Sequence, residues 1–300
     1  MSQEVEMKLA LGQQGPEALR RHPLLAEHPS SRDQLTNTYF DTEAGDLKRA
    51  RMALRLRRTG KGWVQTLKTS GQGSGGVSQR GEWEWPVTEP TLDLAGLAKL
   101  PPVSDFPDGL LERLEPRFTT DFHRQTWWLS IDGNHIELAL DEGEIRAAGH
   151  SVTIRELELE LKDGDLTCLP ELAERFVDQV ALRPSDTSKA ARGAALLLGN
   201  WPRLQPALPA ELLHSINTAL DAFSDTGATI WLSDAITALE RLGRETPTLS
   251  ESTTALASQL STRRSAMELC QIDRDAWLTP EIGGMLLDLA RQLPDHIDIG

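Results

Sequence analysis

The first residues of the chain alternate charged and apolar side chains and so predict a β-strand with two contrasting faces. Successive side chains of a strand point to opposite faces. Glu4, Glu6 and Lys8 therefore share one face, and Val5 and Met7 share the other. In a single half-buried strand the charged face normally meets water, and for this strand alone that is the simpler interpretation.

The same alternation recurs further along the chain. Arg55 and Arg57 alternate with leucines, and Glu156, Glu158 and Glu160 do so as well. Strands with one apolar face and one face that carries both signs of charge suit a closed sheet, with helices on its outside and charged side chains inside. The recurrence therefore predicts a charged tunnel rather than a set of surface strands.

Periodicity and turn residues predict a strand-rich region followed by a helical one. Strands are predicted at residues 2–11, 34–41, 52–59, 63–69, 79–88, 115–130, 135–141 and 153–161. Helices are predicted at residues 16–28, 166–180, 185–198, 212–223, 230–242, 253–269 and 282–293. Three prolines, Pro202, Pro206 and Pro209, separate the two regions. The sequence thus predicts a domain at residues 1–200, a linker at 201–209 and a helical domain at 210–300.

Composition narrows the classes of function. The formal net charge of −14 argues against general binding to nucleic acid or to anionic membranes. The N-terminus begins with a charged strand rather than a signal peptide or an apolar span, so a cytoplasmic location is expected. Only Cys168 and Cys270 are present, which argues against a disulfide framework or a thiolate metal site. Both cysteines are expected to be buried as small apolar side chains.

Short motifs stand in a fixed order along the first two-thirds of the chain. They are Glu4-x-Glu6-x-Lys8, Asn37-Thr38-Tyr39-Phe40-Asp41, Leu54-Arg55-Leu56-Arg57, Thr66-Leu67-Lys68, Ala139-Leu140-Asp141, Glu156-Leu157-Glu158-Leu159-Glu160 and Ser188-Lys189-Ala190-Ala191-Arg192-Gly193. In this order they resemble the CYTH superfamily, the triphosphate tunnel metalloenzymes. The resemblance covers about residues 1–200. It is greatest to bacterial inorganic triphosphatases with an N-terminal CYTH domain and a C-terminal helical CHAD domain.

The resemblance implies an α+β fold, namely an eight-stranded antiparallel β-tunnel with flanking helices, followed here by a small all-α bundle. Such a tunnel binds a triphosphate lengthwise and uses Mg²⁺ or Mn²⁺. The implied activity is metal-dependent hydrolysis of inorganic tripolyphosphate to phosphate and pyrophosphate. Class IV adenylate cyclase and thiamine triphosphatase share the tunnel, so a nucleoside or thiamine triphosphate is the alternative substrate. A non-catalytic polyphosphate- or nucleotide-binding module is disfavoured because the catalytic-type carboxylates are retained.

The matching motif positions also imply the site residues. A polyanion needs several fixed cations, and the implied substrate-binding residues are Lys8, Arg55, Arg57, Lys68, Arg124, Lys189 and Arg192. Hard divalent ions prefer oxygen ligands, and the implied metal ligands are Glu4, Glu6, Asp141, Glu156, Glu158 and Glu160. The implied catalytic residues are three acids, Glu4, Glu6 and Glu82, and six cations, Lys8, Arg55, Arg57, Lys68, Arg124 and Lys189. Glu156 and Glu158 are preferred over Glu160, and Glu82 is preferred over Glu84.

The C-terminal region departs from the CHAD pattern, which is rich in histidine and basic residues. Residues 201–300 contain 7 Arg, no Lys and 14 acidic residues, a net charge of −7. This balance makes the region a poor site for a polyanion, and a degenerate or shortened bundle is expected. Residues 1–200 are accordingly expected to fold and to act without it.

Overall fold

A computed structural model describes residues 2–60, 62–69, 73, 75–206 and 208–293. Nine strands lie in these residues: β1 (Ser2–Leu11), β2 (Ser30–Asp41), β3 (Met52–Thr59), β4 (Gly62–Thr69), β5 (Val77–Val87), β6 (Glu115–Ile131), β7 (Asn134–Ala147), β8 (His150–Asp163) and β9 (Leu182–Pro184). Each of the first eight overlaps a predicted strand. The short β9 is an addition to the prediction.

The described residues also contain ten α-helices. They are α1 (Gly15–Arg21), α2 (Pro23–Ala26), α3 (Asp46–Arg49), α4 (Leu94–Leu97), α5 (Cys168–Val177), α6 (Lys189–Leu198), α7 (Pro209–Thr226), α8 (Ile230–Glu245), α9 (Ser250–Glu268) and α10 (Pro280–Gln292). In the described ranges, none of the helices has both the length and the apolar composition that a membrane crossing requires.

The first eight strands close into a single antiparallel ring. Their order is β5-β4-β3-β2-β6-β7-β8-β1, and β1 also pairs with β5, which closes the sheet. Glu4 of β1 lies opposite Arg80 of β5, and Glu6 lies opposite Glu160 of β8. The short β9 pairs with the end of β1. The predicted eight-stranded antiparallel tunnel is therefore confirmed.

Both faces of β1 are buried, so the simpler interpretation of its charged face is wrong. Glu6 and Lys8 are only 2% and 6% exposed, and both line the inside of the ring. Met7 and Leu9 on the other face belong to an apolar core that the sheet shares with α1, α2 and α5. Alternation along this strand thus separates a charged interior from an apolar exterior, as expected for a closed sheet covered by helices.

Helix α6 approaches the ring closely because it carries a glycine at the point of contact. It begins at Lys189, after Ser188, whose hydroxyl accepts a hydrogen bond from the Ala191 N–H. A Cβ on Gly193 would lie 2.2 Å from the Phe118 ring of β6. A larger residue would push α6, and Lys189 with it, away from the sheet. The helix starts later than predicted because the chain before it forms β9 and a loop.

The C-terminal helices α7 to α10 form an apolar core of their own and also pack on the ring. Leu287 of α10 belongs to the core that covers the sheet. A Cβ on Gly283 of the same helix would lie 2.0 Å from the Leu182 carbonyl oxygen of β9. The described helical region therefore shares buried surface with the ring, and the domain boundary at residue 200 stays a prediction.

Only one of the two cysteines is buried. Cys168 is buried at the start of α5, as expected. Cys270 is exposed just beyond α9, where its φ of 55° places it in the left-handed region. The expectation is wrong for Cys270 because the helix ends before this residue and the chain turns there into solvent.

Candidate active site

The ring encloses a cavity of about 970 Å³. Eleven of the predicted site residues line it: Glu4, Glu6, Lys8, Arg55, Arg57, Lys68, Glu82, Arg124, Glu158, Glu160 and Lys189. Asp141 and Glu156 lie just behind this lining, where both contact Lys189. The fold thus brings residues from separate strands and from α6 into one chamber.

Lys189 is the centre of a buried group of carboxylates. Its ammonium lies 2.7 Å from Asp141 Oδ2 and 3.0 Å from Glu158 Oε1, and it also donates to Glu156. One carboxylate oxygen of each of these three acids lies within 4.8 Å of the others. Arg124 donates to both Asp141 oxygens, at 2.7 and 2.6 Å, and to Glu158. We call these five residues the Lys189 cluster.

The Lys189 cluster moves the pKa values of its two glutamates in opposite directions. Burial raises the pKa of Glu156, and the charge of Glu158 adds to this rise while Lys189 opposes it. Burial also acts against the charged form of Glu158, but Lys189 and Arg124 outweigh it and hold the pKa of Glu158 well below its usual range. Burial likewise opposes the charged form of Lys189, whose pKa is nevertheless raised by the three acids. Glu158 and Lys189 are therefore both ionised at neutral pH.

A second charged group joins β1, β4 and β5. Arg80 donates to Glu4 at 2.9 Å and to Glu6 at 2.7 Å. Lys68 lies 2.8 Å from Glu4 and 3.2 Å from Glu82. Burial disfavours the charged form of Glu4, but Lys68 and Arg80 outweigh it and lower the pKa of Glu4 to about 2. We call these five residues the Arg80 cluster.

Arg57 lies in the cavity wall, and its contacts with described residues include no carboxylate. Its Nε donates to the Asn37 amide oxygen at 2.8 Å, and no acidic residue in the described part of the chain forms an ion pair with it. Burial, and then the charges of Arg55 and Arg124, lower the pKa of Arg57 to about 9. The guanidinium is still protonated at neutral pH, but its charge is poorly compensated.

Two neighbouring cations are also loosely compensated. The Lys8 ammonium contacts Glu6 only at 3.9 Å. Arg55 contacts Glu82 and Glu84 only at 3.8 and 3.9 Å, and its buried Nε has no hydrogen-bond partner among the described residues. Buried polar atoms rarely stay unpaired in native proteins. We call Lys8, Arg55 and Arg57 the open cations.

Arg192 makes contacts that differ from those implied for it. It does not line the cavity. Its guanidinium donates to both Asp225 oxygens of α7, at 3.0 and 2.6 Å, and to the Thr153 carbonyl oxygen. Its other guanidinium nitrogen lies 3.5 Å from Glu156. The Arg192 donors thus face α7, the backbone of β8 and one acid of the Lys189 cluster rather than the cavity, and a substrate-binding role for Arg192 stays a prediction.

Sequence motifs do not identify every charged residue of the site. Arg80 is the main omission, although it precedes Glu82 by two residues and so falls on the same face of β5. The period of two along this strand could have identified it. Trp201 of the linker and His214 of α7 also line the cavity. No local pattern connects either of them with the ring, because their positions depend on how α7 packs.

Comparison with known protein families agrees with this arrangement. The CYTH domain family model matches residues 2–194. This chain belongs to the CYTH family. The matched CYTH domain ends within α6 and contains the open cations and both charged clusters, whereas α7 to α10 lie beyond it.

Several known proteins are similar to this chain. An inorganic triphosphatase of Haemophilus influenzae is 35% identical over 201 residues, which make up 65% of this chain and 55% of that protein. The chain thus spans about half the length of this curated relative. A Hippeastrum protein described as a putative adenylyl cyclase with a dominant triphosphatase activity matches with a TM-score of 0.48 and 22% identity, over 68% of this chain and 98% of that chain. The PH1819 protein of Pyrococcus horikoshii OT3 matches with a TM-score of 0.40 and 18% identity, over 62% and 94% of the two chains.

The carboxylates of the CYTH domain have the donor chemistry of a site for a hard divalent ion. Such ions prefer oxygen ligands and usually keep several waters. The three acids of the Lys189 cluster offer closely spaced oxygens, but these already bind Lys189. Glu4, Glu6 and Glu160 line the cavity, and 27% of the Glu160 side chain is exposed. Of these three acids Glu160 is the most exposed, and its Oε1 contacts Lys162 at 2.6 Å.

Proposed function

We propose that this chain is a metal-dependent inorganic triphosphatase that hydrolyses tripolyphosphate to phosphate and pyrophosphate. The open cations are the observation that carries the proposal. Lys8, Arg55 and Arg57 line one enclosed cavity, and their charges are only partly compensated. A desolvated cation without a partner is unfavourable. A bound polyanion would supply the missing partners.

The kinds of cation favour phosphate over a carboxylate or a single small anion. A guanidinium presents several donors in a plane and binds two phosphate oxygens at once, whereas an ammonium acts as a point charge. Arg55 and Arg57 lie two residues apart on β3 and line the same cavity. Lys8 reaches that cavity from β1. Cations on separate strands suit a chain of phosphate groups better than an isolated phosphate.

The charge balance of the cavity supports a requirement for divalent cations. The two clusters, the open cations and Glu160 together hold seven cationic and seven acidic side chains. The site is therefore close to neutral before substrate binds. A tripolyphosphate brings several negative charges, and metal ions that bind with it would restore the balance.

We assign the metal ligands to Glu4, Glu6 and Glu160, and we assign Asp141, Glu156 and Glu158 to the positioning of Lys189. This choice differs from the sequence-based preference for Glu156 and Glu158. Both oxygens of Glu158 contact a cation, Lys189 or Arg124, whereas the ion pairs that Glu6 and Glu160 form with described residues use Oε1 alone. Glu6 and Glu160 lie opposite each other on β1 and β8. A bound Mg²⁺ or Mn²⁺ would supply charge neutralisation at the phosphate oxygens.

The protein's own groups would act mainly by binding and by electrostatics. In the hydrolysis, the oxygen of a water molecule bonds to the terminal phosphorus while the bridging P–O bond breaks, and the bridging oxygen leaves with pyrophosphate. The protons of that water pass to phosphate oxygens and to solvent. Arg55 and Arg57 hold the reacting phosphoryl group and stabilise the charge that develops on it. The three donors of Lys189 face its three acids, so Lys189 would act on a second phosphate through its positive charge rather than by a direct hydrogen bond.

Tripolyphosphate is expected to be the best substrate among inorganic and organic triphosphates. Its recognition needs only the cations and carboxylates described above. Phosphate release should be measured with tripolyphosphate, ATP and thiamine triphosphate, each with Mg²⁺ and with Mn²⁺. We expect the highest kcat/KM for tripolyphosphate, loss of activity in the presence of a chelator, and recovery when the metal is added back.

The other functions give different results in the same assay. Formation of cyclic AMP from ATP, with a kcat/KM at or above that for tripolyphosphate, would identify an adenylate cyclase. A preference for thiamine triphosphate would identify a thiamine triphosphatase. Tight binding of tripolyphosphate without phosphate release under any metal condition would identify a binding module.

A further inference from the structure

Helix α7 reaches from the C-terminal region into the segment that joins β9 to α6. Asp221 of α7 is buried there and contacts both β9 and this segment. The Arg183 guanidinium of β9 lies 2.8 Å from it, and in the loop the Ser185 hydroxyl lies 3.0 Å and the Thr187 N–H 3.1 Å from it. A single carboxylate thus joins the end of β9 to a hydroxyl and a backbone amide of the loop that leads directly to Lys189.

A second carboxylate of α7 lies one turn further along the helix. Asp225 accepts hydrogen bonds from the Nε and Nη2 atoms of Arg192, at 3.0 and 2.6 Å. The Asp225 side chain is nearly completely buried. The other Arg192 nitrogen lies 3.5 Å from Glu156, an acid of the Lys189 cluster. A continuous chain of charges therefore runs from Asp225 through Arg192 and Glu156 to Lys189.

A third carboxylate, Asp186, lies within the loop itself and binds two other parts of the protein. Asp186 accepts hydrogen bonds from the Gly76 N–H at 2.6 Å and from the Asn217 amide of α7 at 3.1 Å. It also contacts His214 of α7 at 3.0 Å, and this contact raises the pKa of His214. The loop before β5, the loop before α6 and the face of α7 thus meet at one carboxylate.

These contacts act together with the Ser188 cap at the start of α6. The loop at residues 185–187 is not part of a helix or strand, so its backbone donors need other partners. Asp221 supplies the partner for Thr187, two residues before Lys189. Without these anchors the loop would gain conformational freedom, and the start of α6 would no longer be fixed against β7 and β8.

The carboxylates of α7 also neutralise two arginines near the site. Arg183 is buried, only 11% of the Arg192 side chain is exposed, and each arginine contacts a carboxylate of α7. Removing one carboxylate would leave a buried arginine uncompensated. For Arg192 the nearest remaining acid is Glu156, which it would draw away from Lys189.

We propose that Asp221 and Asp225 are positioning residues of the triphosphate site, and that α7 sets the location of Lys189 within the tunnel. This inference rests on the proposed triphosphatase function. It makes the C-terminal helices a structural part of the site, although the net charge of their region disfavours direct binding of a polyanion. It also replaces the expectation that residues 1–200 act alone, because the fragment would leave Arg183, Arg192 and Thr187 without these partners.

The test compares Asp225→Asn, Asp225→Glu and Asp288→Asn in the full chain. Asp288 lies exposed on α10, where its contact is a long ion pair with Arg291 at 3.6 Å, so this variant makes the same charge change without touching the site. For each protein, KM and kcat for tripolyphosphate and the melting temperature should be measured, with kinetics well below the melting transition. We expect Asp225→Asn to raise KM about tenfold with a smaller change in kcat, because a displaced cation weakens binding of the phosphate chain.

The two other variants separate positioning from general stability. Asp225→Glu keeps the carboxylate and is expected to raise KM only about threefold, and it decides the question if Asp225→Asn does not fold. Asp288→Asn is expected to match the original protein in KM and kcat. A lower melting temperature with unchanged KM and kcat in the Asp225 variants would overturn the inference and leave the triphosphatase function intact. Failure of the unmodified protein to hydrolyse tripolyphosphate would instead overturn the proposed function.

Discussion

Arg57→Ala is expected to lower kcat/KM for tripolyphosphate by roughly ten- to a hundredfold while the protein stays folded. Arg57 lines the cavity and has no carboxylate partner among the described residues, so its charge is available to a phosphate. Loss of one charge-assisted contact to the reacting phosphoryl group corresponds to about 1.5–3 kcal/mol of transition-state stabilisation. Steady-state kinetics with the preferred metal ion measure the change directly.

The same substitution should not lower the stability of the protein. The pKa of Arg57 is lowered by burial and by two neighbouring arginines, so the folded state holds this cation at a cost. Removing it should leave the free energy of unfolding unchanged or slightly raised, as measured by urea denaturation without substrate. A large loss of activity together with equal or greater stability is the combination expected for a residue that binds an anion.

Arg58→Ala is the matched control. Arg58 is the next residue of β3, lies on the opposite face and is exposed. Its removal changes the net charge equally but leaves the cavity wall intact, so kcat/KM should change by less than about twofold. Equal losses in the two variants would show that overall charge, rather than the inward face of β3, governs substrate use.

The closed sheet was predictable because its cause is local. In β1, β3 and β8 every second side chain is charged and points into the ring, and the apolar side chains between them pack on the outside. Both faces of these strands are therefore buried. The charged residues of the site follow from the same alternation, as Arg57 and Glu158 illustrate. Arg80 follows the same alternation in β5, so its position inside the ring was predictable as well, although it belongs to none of the motifs.

The contacts of α7 were not predictable from the sequence. In the sequence, Asp221 and Asp225 look like ordinary acidic residues of an amphipathic helix. The net charge of residues 201–300 does not indicate which residues they contact. Their partners, Arg183 and Arg192, lie 38 and 33 residues away and face them only after the ring and the helices have packed. For the same reason β9 escaped prediction, because a three-residue strand has too few positions to show a period.

Lys189→Met is expected to reduce the free energy of unfolding by about 3–5 kcal/mol at pH 7, the usual cost of removing one partner from a buried ionic group. The substitution keeps most of the side-chain volume but removes the ammonium that contacts Asp141, Glu156 and Glu158 together. Arg124 would still bind Asp141 and Glu158, and Glu156 would keep a contact with Arg192 at 3.5 Å. Urea denaturation at pH 7 measures the loss.

Lys162→Met is the control for a lysine on the edge of the same cavity. Lys162 contacts Glu160 at 2.6 Å and Glu137 at 3.2 Å, but a third of its side chain is exposed. Ion pairs that remain in contact with water contribute little, so its loss should reduce stability by less than about 1 kcal/mol. Similar losses in the two lysine variants would mean that the Lys189 cluster is no more buried in solution than the cavity edge.

The dependence of stability on pH should also become steeper in Lys189→Met. In the original protein the pKa of Glu158 is held well below its usual range, so its contribution is present above the unfolded pKa of about 4.3 and is lost as the pH falls through the folded value. Without Lys189, burial and mutual repulsion would raise the folded pKa of at least one of the three acids. The folded variant would then bind protons more readily than the unfolded chain. Its stability should rise more steeply than that of the original protein as the pH is lowered from 7 to 5, a range in which Glu158 of the original protein stays ionised and the raised pKa of Glu156 contributes a smaller rise. Urea denaturation at pH 7, 6 and 5 compares the two slopes, and equal slopes would show that Lys189 is not what keeps these acids ionised.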